Sequence, residues 1–499
     1  MKLNDINEFI TEDNASSLAL FNDLRILLED SYSNFPKGTN LIGIFFIDLL
    51  KLYTQSYLKL REIEYEIVPN ELIGSRLKSW PYVGYHQLSK GLDLEYDHFG
   101  RNTSIHFVKN QIDKKHIYIV LKRFLKGMGK QKTKLSIAGS SAISSKKNLD
   151  ILLNNLDLIP IKTSDNWLHI SDYKEQISYL RMNLRNLLDK YFNEPICSKL
   201  IDISSQHIVE SINPDDQKNL KISNTIVLGS GVEIENRMLA SYCYNKGIQV
   251  INIIHGEAFG VYDEPIFGAL GEQMYSSKIL GYGNGILENS NSYRFIMNDI
   301  NNYIPSNAET LLSIYKSNVV TLPSKSNLNY YYFPTTLRGT MHRFGPYQDM
   351  PDFLYLEWQR MLNKLFSNRL KTKLHPKEKY LFLYKTVENT PVSSSFMEIE
   401  HMVDVFVFDY IGTAFHQACA TTKPVVYFDL GIRNISENAK EAVKNRTIYF
   451  DLSTGDLPSF SDINDRIFTE EKENELTKEY SLTEDDRLRS ESLIQGMKL

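Results

Sequence analysis

The chain has 499 residues, of which 42% are hydrophobic and 23% are charged, and its formal net charge is -5. These values are typical of a globular protein with two or three domains, and they exclude a chain that is mostly disordered. The slightly negative net charge argues against general nucleic-acid binding. Cys197, Cys243 and Cys419 are too widely spaced for a disulfide framework or a structural zinc site.

The first 130 residues are aromatic-rich and are predicted to be mainly helical, as an accessory or acceptor-side region. Their most apolar run, residues 41–53, contains Asp48 and Lys51 and is too short to span a bilayer. The first residues lack the apolar core of a signal peptide. We therefore expect a cytoplasmic protein.

Residues 114–130 predict a basic amphipathic helix. Its apolar face is formed by Ile117, Val120, Leu121, Phe124, Leu125 and Met128, and six Lys or Arg residues surround that face. Such a helix suits the surface of an anionic membrane. The alternative is a helix that packs on the core and turns its basic side to solvent.

Residues 131–322 predict a first Rossmann-like domain. It opens with a strand from Lys134 and a turn at Gly139, Ser140 and Ser141. A second strand, residues 225–228, leads into a Gly-Ser-Gly turn that contains Ser230, and an acidic helix start follows. Its acids, Glu233 and Glu235, are candidate catalytic carboxylates or merely favourable charges at a helix N-terminus.

The β-branched run at residues 250–254 predicts a core strand of the same domain. His255 and Glu257 follow this strand directly, and Asp263 and Glu264 come a few residues later. Ligands of open α/β sheets bind at the carboxyl ends of strands. His255 is therefore a candidate functional residue, with an ordinary loop histidine as the alternative, and Glu257 is the first choice among the carboxylates.

Residues 323–457 predict a second Rossmann-like domain. An aromatic strand from Tyr330 runs into a loop with three cations, Arg338, His342 and Arg343, and a helix follows near Pro351. Guanidinium groups fit the geometry of phosphate and carboxylate, so the loop suits an anionic ligand. A solvated loop would show the same composition.

Two further loops of this domain suit a phosphate. Lys373, His375 and Pro376 follow a short strand; Gly412, Thr413 and Ala414 follow a buried strand, residues 405–408, and begin a helix that contains Gln417. A helix N-terminus favours anions, and glycine allows close approach to the backbone. We expect the two loops to lie on neighbouring strands and to converge. Any αβ unit with a Gly-Thr turn is the alternative, and residues 458–499 predict a helical tail.

Three features form a pattern over roughly residues 330–430. They are the loop with His375 and Pro376, the helix start with the small residues Gly412, Thr413 and Ala414, and the strand entry Lys423-Pro424-Val425. It resembles GT-B glycosyltransferases of bacterial capsule and O-antigen synthesis, including those that transfer Kdo or a related nonulosonate from a CMP-linked donor. The resemblance implies an α/β fold of the GT-B type, in which two Rossmann-like domains face a cleft, here with an extra N-terminal helical region.

The resemblance also implies roles for these residues. The donor would be bound by His375, Pro376, Lys373, Gly412, Thr413, Ala414, Gln417, Arg338, Arg343 and Ser230, and catalysis would fall to Glu257, His255, Glu233, Glu235 or Asp263. Gln417 stands where those transferases have an acidic residue, and residues 229–236 contain no aspartate. The stereochemical outcome stays open.

The partners implied are a nucleotide-sugar co-substrate and a glycan or lipid-linked glycan acceptor, with peripheral contact to the inner face of the membrane and with neither a metal nor another cofactor. Two alternatives remain open: a transferase of polyol phosphate from a CDP-linked donor, and a non-catalytic sugar-binding or assembly protein.

Overall fold

The computed structural model describes residues 3–64, 133–138, 156–160, 173–211, 222–229, 234–254, 261–262, 274–283, 303–306, 309–317, 328–335, 352–367, 369–375, 394–431, 433, 435–453, 456–470 and 472–480. The basic segment at residues 114–130 lies outside these ranges, so its helix stays a prediction.

Eleven described strands form two sheets. The strands are β1 (Thr133–Ala138), β2 (Leu156–Pro160), β3 (Thr225–Gly229), β4 (Gln249–Ile253), β5 (Lys278–Tyr282), β6 (Tyr303–Ser306), β7 (Tyr330–Tyr332), β8 (Leu370–Thr372), β9 (Val405–Phe408), β10 (Val425–Asp429) and β11 (Ile448–Asp451). The first sheet has the order β2-β1-β3-β4-β5-β6 and the second has the order β11-β10-β9-β7-β8. Every described pairing within the two sheets is parallel.

Helices connect and cover these strands. Those described are α1 (Leu3–Asn34), α2 (Leu41–Glu64), α3 (Lys174–Leu188), α4 (Glu194–Ser211), α5 (Ile234–Asn245), α6 (Glu309–Ser317), α7 (Asp352–Leu365), α8 (Phe396–Ile399), α9 (Thr413–Cys419), α10 (Glu437–Arg446), α11 (Phe460–Thr469) and α12 (Glu475–Tyr480).

The residue pattern of the central strands explains the architecture. Strands β9 and β10 are buried at every position, which requires cover on both faces of the sheet. Such strands are continuous apolar runs rather than alternating ones, and this is why they could be recognised in the sequence. The predicted α/β class with two Rossmann-like parallel sheets is confirmed.

The two N-terminal helices pack into the first domain. Their buried side chains share one hydrophobic cluster with α3, α4, α5 and strands β3 and β4. The buried guanidinium of Arg237 on α5 pairs with Asp48 and donates from Nε to the carbonyl of Ile44 at 2.7 Å, both on α2. Helices α1 and α2 are therefore part of this core, while the predicted domain limit near residue 130 lies outside the described ranges and stays a prediction.

Three further expectations concern the cysteines, a membrane-spanning helix and the C-terminal tail. All three cysteines are buried and unpaired by disulfides, as expected. Within the described ranges, no helix combines the length and apolar character needed to cross a membrane. The predicted helical tail is described only as far as Tyr480, where α11 and α12 are helical.

Candidate functional site

The second sheet has a topological switch point between β7 and β9. The chain goes from β7 to β8 on one side and then returns to β9 on the other side of β7. The crevice outside the carboxyl ends of two such strands is the usual ligand site of an open parallel sheet. In this protein the residues that leave these strand ends are Thr335 on one side and Asp409 to Thr413 on the other.

The carboxylate of Asp409 is buried at this switch point. It accepts a hydrogen bond from the hydroxyl of Tyr332, another from that of Tyr355 at 3.1 Å, and a third from Nε1 of Trp358 at 2.7 Å. Burial raises the pKa of Asp409 to about 6, because desolvation outweighs the three donors, which favour the charged form. At neutral pH the carboxylate is ionised and fully occupied by protein donors.

Tyr355 also reaches the loop after β7. Its hydroxyl accepts a hydrogen bond from the backbone N–H of Thr335 at 3.0 Å and lies 3.1 Å from the hydroxyl of Tyr332. The Oγ1 atom of Thr335 is buried and has no hydrogen-bond partner in the described part of the chain. Both loops at the switch point are thus tied to one buried network.

Gly412 begins the short helix α9 and has an extended backbone, with φ of -151° and ψ of -171°. This conformation is open to any residue, so backbone strain does not explain the glycine. A Cβ at this position would instead collide with the ring and hydroxyl of Tyr410. Gly412 makes room for that side chain, whereas the sequence suggested room for a ligand.

A segment of the first domain lies against the same loops. The hydroxyl of Tyr262 accepts a hydrogen bond from the backbone N–H of Ile411 at 2.7 Å, and the N–H of Ser436 donates to the carbonyl of Val261 at 2.9 Å. Tyr262 also forms an antiparallel bridge with Ile435, which follows the end of β10. Residues 261–262, which follow β4 in the chain, therefore contact loops that leave the carboxyl ends of β9 and β10.

Two other elements of the predicted first domain support this contact. Leu311 and Ile314 of α6 are buried in the same hydrophobic cluster as Phe408 and Phe415. Tyr282, at the carboxyl end of β5, packs against that cluster as well. The carboxyl ends of strands from both sheets thus approach one set of loops.

The described donor candidates lie at the carboxyl ends of β8 and β9 and differ in exposure. Thr413 is exposed, while Ala414, Gln417 and His375 are half-buried. Lys373 is buried, its ammonium donates to the carbonyl of Leu374 at 2.7 Å, and burial lowers its pKa. Their binding roles remain predictions.

One geometric expectation was wrong. The strand before His375, β8, and the strand before Gly412, β9, are not neighbours, because β7 lies between them. The two loops leave the same edge of the sheet, but β8 and β9 are two inter-strand spacings apart, roughly 10 Å. Thr335, at the end of β7, occupies the place between them.

The remaining candidates lie outside the described residues: His255, Glu257, Asp263, Glu233, Ser230, Arg338, Arg343 and Pro376. Glu235 lies on α5, but its side chain is not described. Among the described residues, no three His, Cys, Asp or Glu side chains come together as a metal site would require. The expected independence from metals therefore stays a prediction.

No local sequence pattern predicts the Asp409 network. Tyr355 and Trp358 are three residues apart on α7, a spacing that is equally typical of an aromatic core face. Asp409 directly follows the buried strand at residues 405–408, and its immediate neighbours in the sequence do not identify its partners. The usable signal would have been a strand-end carboxylate together with two aromatic residues that carry polar hydrogens.

Comparison with known proteins gives little beyond these observations. No family model matches the sequence, and no curated protein matches it closely enough to count as a relative. Among solved structures, S. aureus MnaA in a co-structure with UDP has 11% identity and a TM-score of 0.40, over 73% of this chain and 95% of that one.

Two other solved structures have similarly low sequence identity and low TM-scores. The glycosyltransferase SnogD from Streptomyces nogalater has 9% identity and a TM-score of 0.35, over 73% of this chain and 98% of its own. The glycotransferase of kitacinnamycin has 10% identity and a TM-score of 0.27, over 73% and 95%. Likenesses this weak carry no argument about what this chain does.

Proposed function

We propose that the chain is a GT-B glycosyltransferase that moves a sugar from a nucleotide-linked donor to a glycan acceptor in bacterial surface-polysaccharide synthesis. The favoured donor is Kdo or a related nonulosonate linked to CMP, as the sequence resemblance implies. The observation that carries the proposal is the contact of Tyr262 with Ile411, together with the bridge from Tyr262 to Ile435. It supports a cleft between the carboxyl edges of two parallel sheets.

In this proposal the nucleotide lies at the switch point of the second sheet. The exposed hydroxyl of Thr413 and the imidazole of His375 leave the same sheet edge and suit its phosphate. Arg338 and Arg343, in the loop that continues from Thr335, would add positive charge for the leaving phosphate. The carboxylate of Asp409 takes no direct part, because its oxygens already accept three protein hydrogen bonds.

The first domain would supply the acid-base chemistry. Asp263 follows Tyr262 directly in the sequence and Glu257 precedes it by five residues, a length of chain that spans at most roughly 18 Å. In the transfer, the bond between the anomeric carbon and the phosphate oxygen breaks and CMP leaves. The acceptor hydroxyl forms the new bond, directly or after a covalent intermediate, and its proton passes to a base such as Glu257 or His255.

The test is incubation of the purified chain and fluorescently labelled surface glycans with CMP-Kdo or, in a parallel reaction, with a CDP-linked polyol. CMP is then measured and the glycan is analysed by mass. The proposal predicts CMP release and a glycan longer by one Kdo and free of added phosphorus. Transfer of polyol phosphate would also release CMP, from a CDP-linked donor, but its product would contain phosphorus. Nucleotide binding without turnover of either donor would favour the non-catalytic alternative.

Matched variants separate chemistry from folding. H375A and E257Q should lose most turnover while keeping the thermal unfolding midpoint of the wild type. H401A and E441Q are the controls, since His401 and Glu441 are exposed side chains on the turn after α8 and on α10. Equal activity of H375A and H401A would contradict the role of His375 in donor binding.

A further inference from the structure

We infer that Tyr355 is a positioning residue for the donor, because its hydroxyl couples the loop after β7 to the loop after β9 through Asp409. The inference rests on the proposed function, since it assigns a role in donor binding to a residue that contacts neither nucleotide nor sugar in that proposal. It concerns how the two anion-binding loops are held at the correct separation.

The geometry is a relay with one hydroxyl at its centre. The N–H of Thr335 donates to Oη of Tyr355 at 3.0 Å, and that hydroxyl donates to Oδ1 of Asp409 at 3.1 Å. The other carboxylate oxygen, Oδ2, accepts from Trp358 at 2.7 Å and from Tyr332. Two elements, β7 and α7, therefore hold a carboxylate that belongs to the end of β9.

Burial makes this relay rigid. Asp409 is 7% exposed, Tyr355 is 5% exposed and Trp358 is fully buried. Hydrogen bonds to an ionised carboxylate are about twice as strong as neutral ones, and in a buried site water cannot replace a lost partner. A change at the Tyr355 hydroxyl is therefore transmitted to both loops.

Each end of the relay leads to predicted donor contacts. Thr335 lies three residues before Arg338, and Asp409 lies three and four residues before Gly412 and Thr413. In the loop after β7, the Oγ1 of Thr335 is buried and has no hydrogen-bond partner among the described residues. The relay thus sets where the cationic loop begins relative to the loop that contains Thr413.

A purely structural role for Tyr355 would lower stability and leave donor affinity unchanged. Tyr330 offers the matched control on the same sheet. It is buried, and its hydroxyl donates to Oδ1 of Asn464 at 2.6 Å. It lies at the amino end of β7, away from the switch point. Y330F and Y355F each remove one tyrosine hydroxyl and keep the ring.

The experiment compares the full-length wild type, Y355F, Y332F and Y330F. Isothermal titration with CMP, UDP and GDP gives nucleotide affinity, donor turnover gives KM and kcat, and thermal unfolding gives stability. We expect Y355F to weaken nucleotide binding and raise the donor KM by about tenfold, in line with the loss of a hydrogen bond that leaves a buried partner unpaired. Its kcat should change less than twofold.

Y332F, which keeps the Thr335 bond, should have a smaller effect on the donor KM, and Y330F should leave it at the wild-type value. An unchanged donor KM in Y355F, with stability lowered as in Y330F, would overturn the inference while leaving the proposed function intact. If the wild type binds none of the three nucleotides, the proposed function and this inference both fail.

Discussion

The hydroxyl of Tyr262 and the backbone N–H of Ile411, 149 residues apart in sequence, form a hydrogen bond of 2.7 Å. The ring of Tyr262 is buried, and the guanidinium of Arg433 lies 5.0 Å from its centroid. Through this hydrogen bond, the cation–π contact with Arg433 and the bridge with Ile435, Tyr262 contacts loops that follow strands of the second sheet. Because the chain reaches it from β4, Tyr262 joins the loops of the two parallel sheets.

Y262F should weaken nucleotide binding by about fivefold to tenfold, because the buried N–H of Ile411 loses its acceptor two residues before Thr413. The measurement is isothermal titration with CMP. Y53F is the control: it removes a buried hydroxyl bond of 2.6 Å to Ser204 within the helical layer of the first domain. If Y53F weakens CMP binding as much as Y262F does, the contact with Ile411 has no specific role.

Asp409 should make stability depend on pH. Its pKa in the folded protein is about 6, above the value of about 3.9 expected in the unfolded chain. At pH values between these two pKa values, Asp409 is protonated in the folded state but not in the unfolded chain. Its contribution to the stability of the folded state is therefore full below pH 4 and is lost as the pH rises through 6. From pH 4 to pH 7 the free energy of unfolding should fall by about 2 kcal/mol more in the wild type than in D409N.

Urea denaturation of both proteins at a series of pH values measures this difference. D409N carries no titrating group at this position, so it cancels the contribution of all other groups. If the free energy of unfolding changed with pH in the same way in both proteins, Asp409 would titrate in the folded state as it does in the unfolded chain. That result would contradict the raised pKa.

G412A should destabilise the protein by about 1 kcal/mol, because the new methyl group collides with the far end of the half-buried Tyr410 side chain, which must move aside. The double variant G412A/Y410A should recover part of that loss by removing the ring. Thermal unfolding of the two single variants and the double variant forms a double-mutant cycle. Strict additivity of the two effects would mean that the ring of Tyr410 is not the reason for the glycine.

R237M should destabilise the first domain by about 3–5 kcal/mol, since it leaves the Asp48 carboxylate and the Ile44 carbonyl on α2 without their buried partner. R25M removes a half-exposed pair with Glu29 on α1 and should cost less than about 1 kcal/mol. Denaturation in urea compares them. Equal, small effects would indicate that α2 does not depend on α5 for its position.

The sequence was sufficient where local pattern determines structure. The sequence predicts a strand at residues 405–408 and a strand entry at Lys423-Pro424-Val425, because a parallel strand covered on both faces must be apolar throughout. The structure has these strands as β9 and as β10, which runs from Val425 to Asp429. The helix start at Thr413 was likewise predictable, since Gly412 and the small residues after it mark the end of the strand.

What the sequence could not provide was long-range contact. Trp358 and Tyr332 precede their partner Asp409 by 51 and 77 residues, and no local spacing encodes those bonds. The insertion of β7 between β8 and β9 depends on chain topology, which the loops themselves do not reveal. For the same reason no local pattern marks Tyr262, whose partner Ile411 lies 149 residues away in the sequence.

The most direct test of nucleotide binding at the second sheet is the thermal unfolding midpoint of the purified full-length chain in CMP, CDP, UMP, UDP or GDP. A ligand that binds only the folded state, present at a hundred times its Kd, adds about 2.7 kcal/mol to the free energy of unfolding. The prediction is that CMP raises the midpoint by several degrees, more than UMP, UDP or GDP, and that H375A abolishes this rise. A larger rise with UDP or GDP would contradict the CMP-linked donor, and no rise with any of the five would contradict nucleotide binding itself.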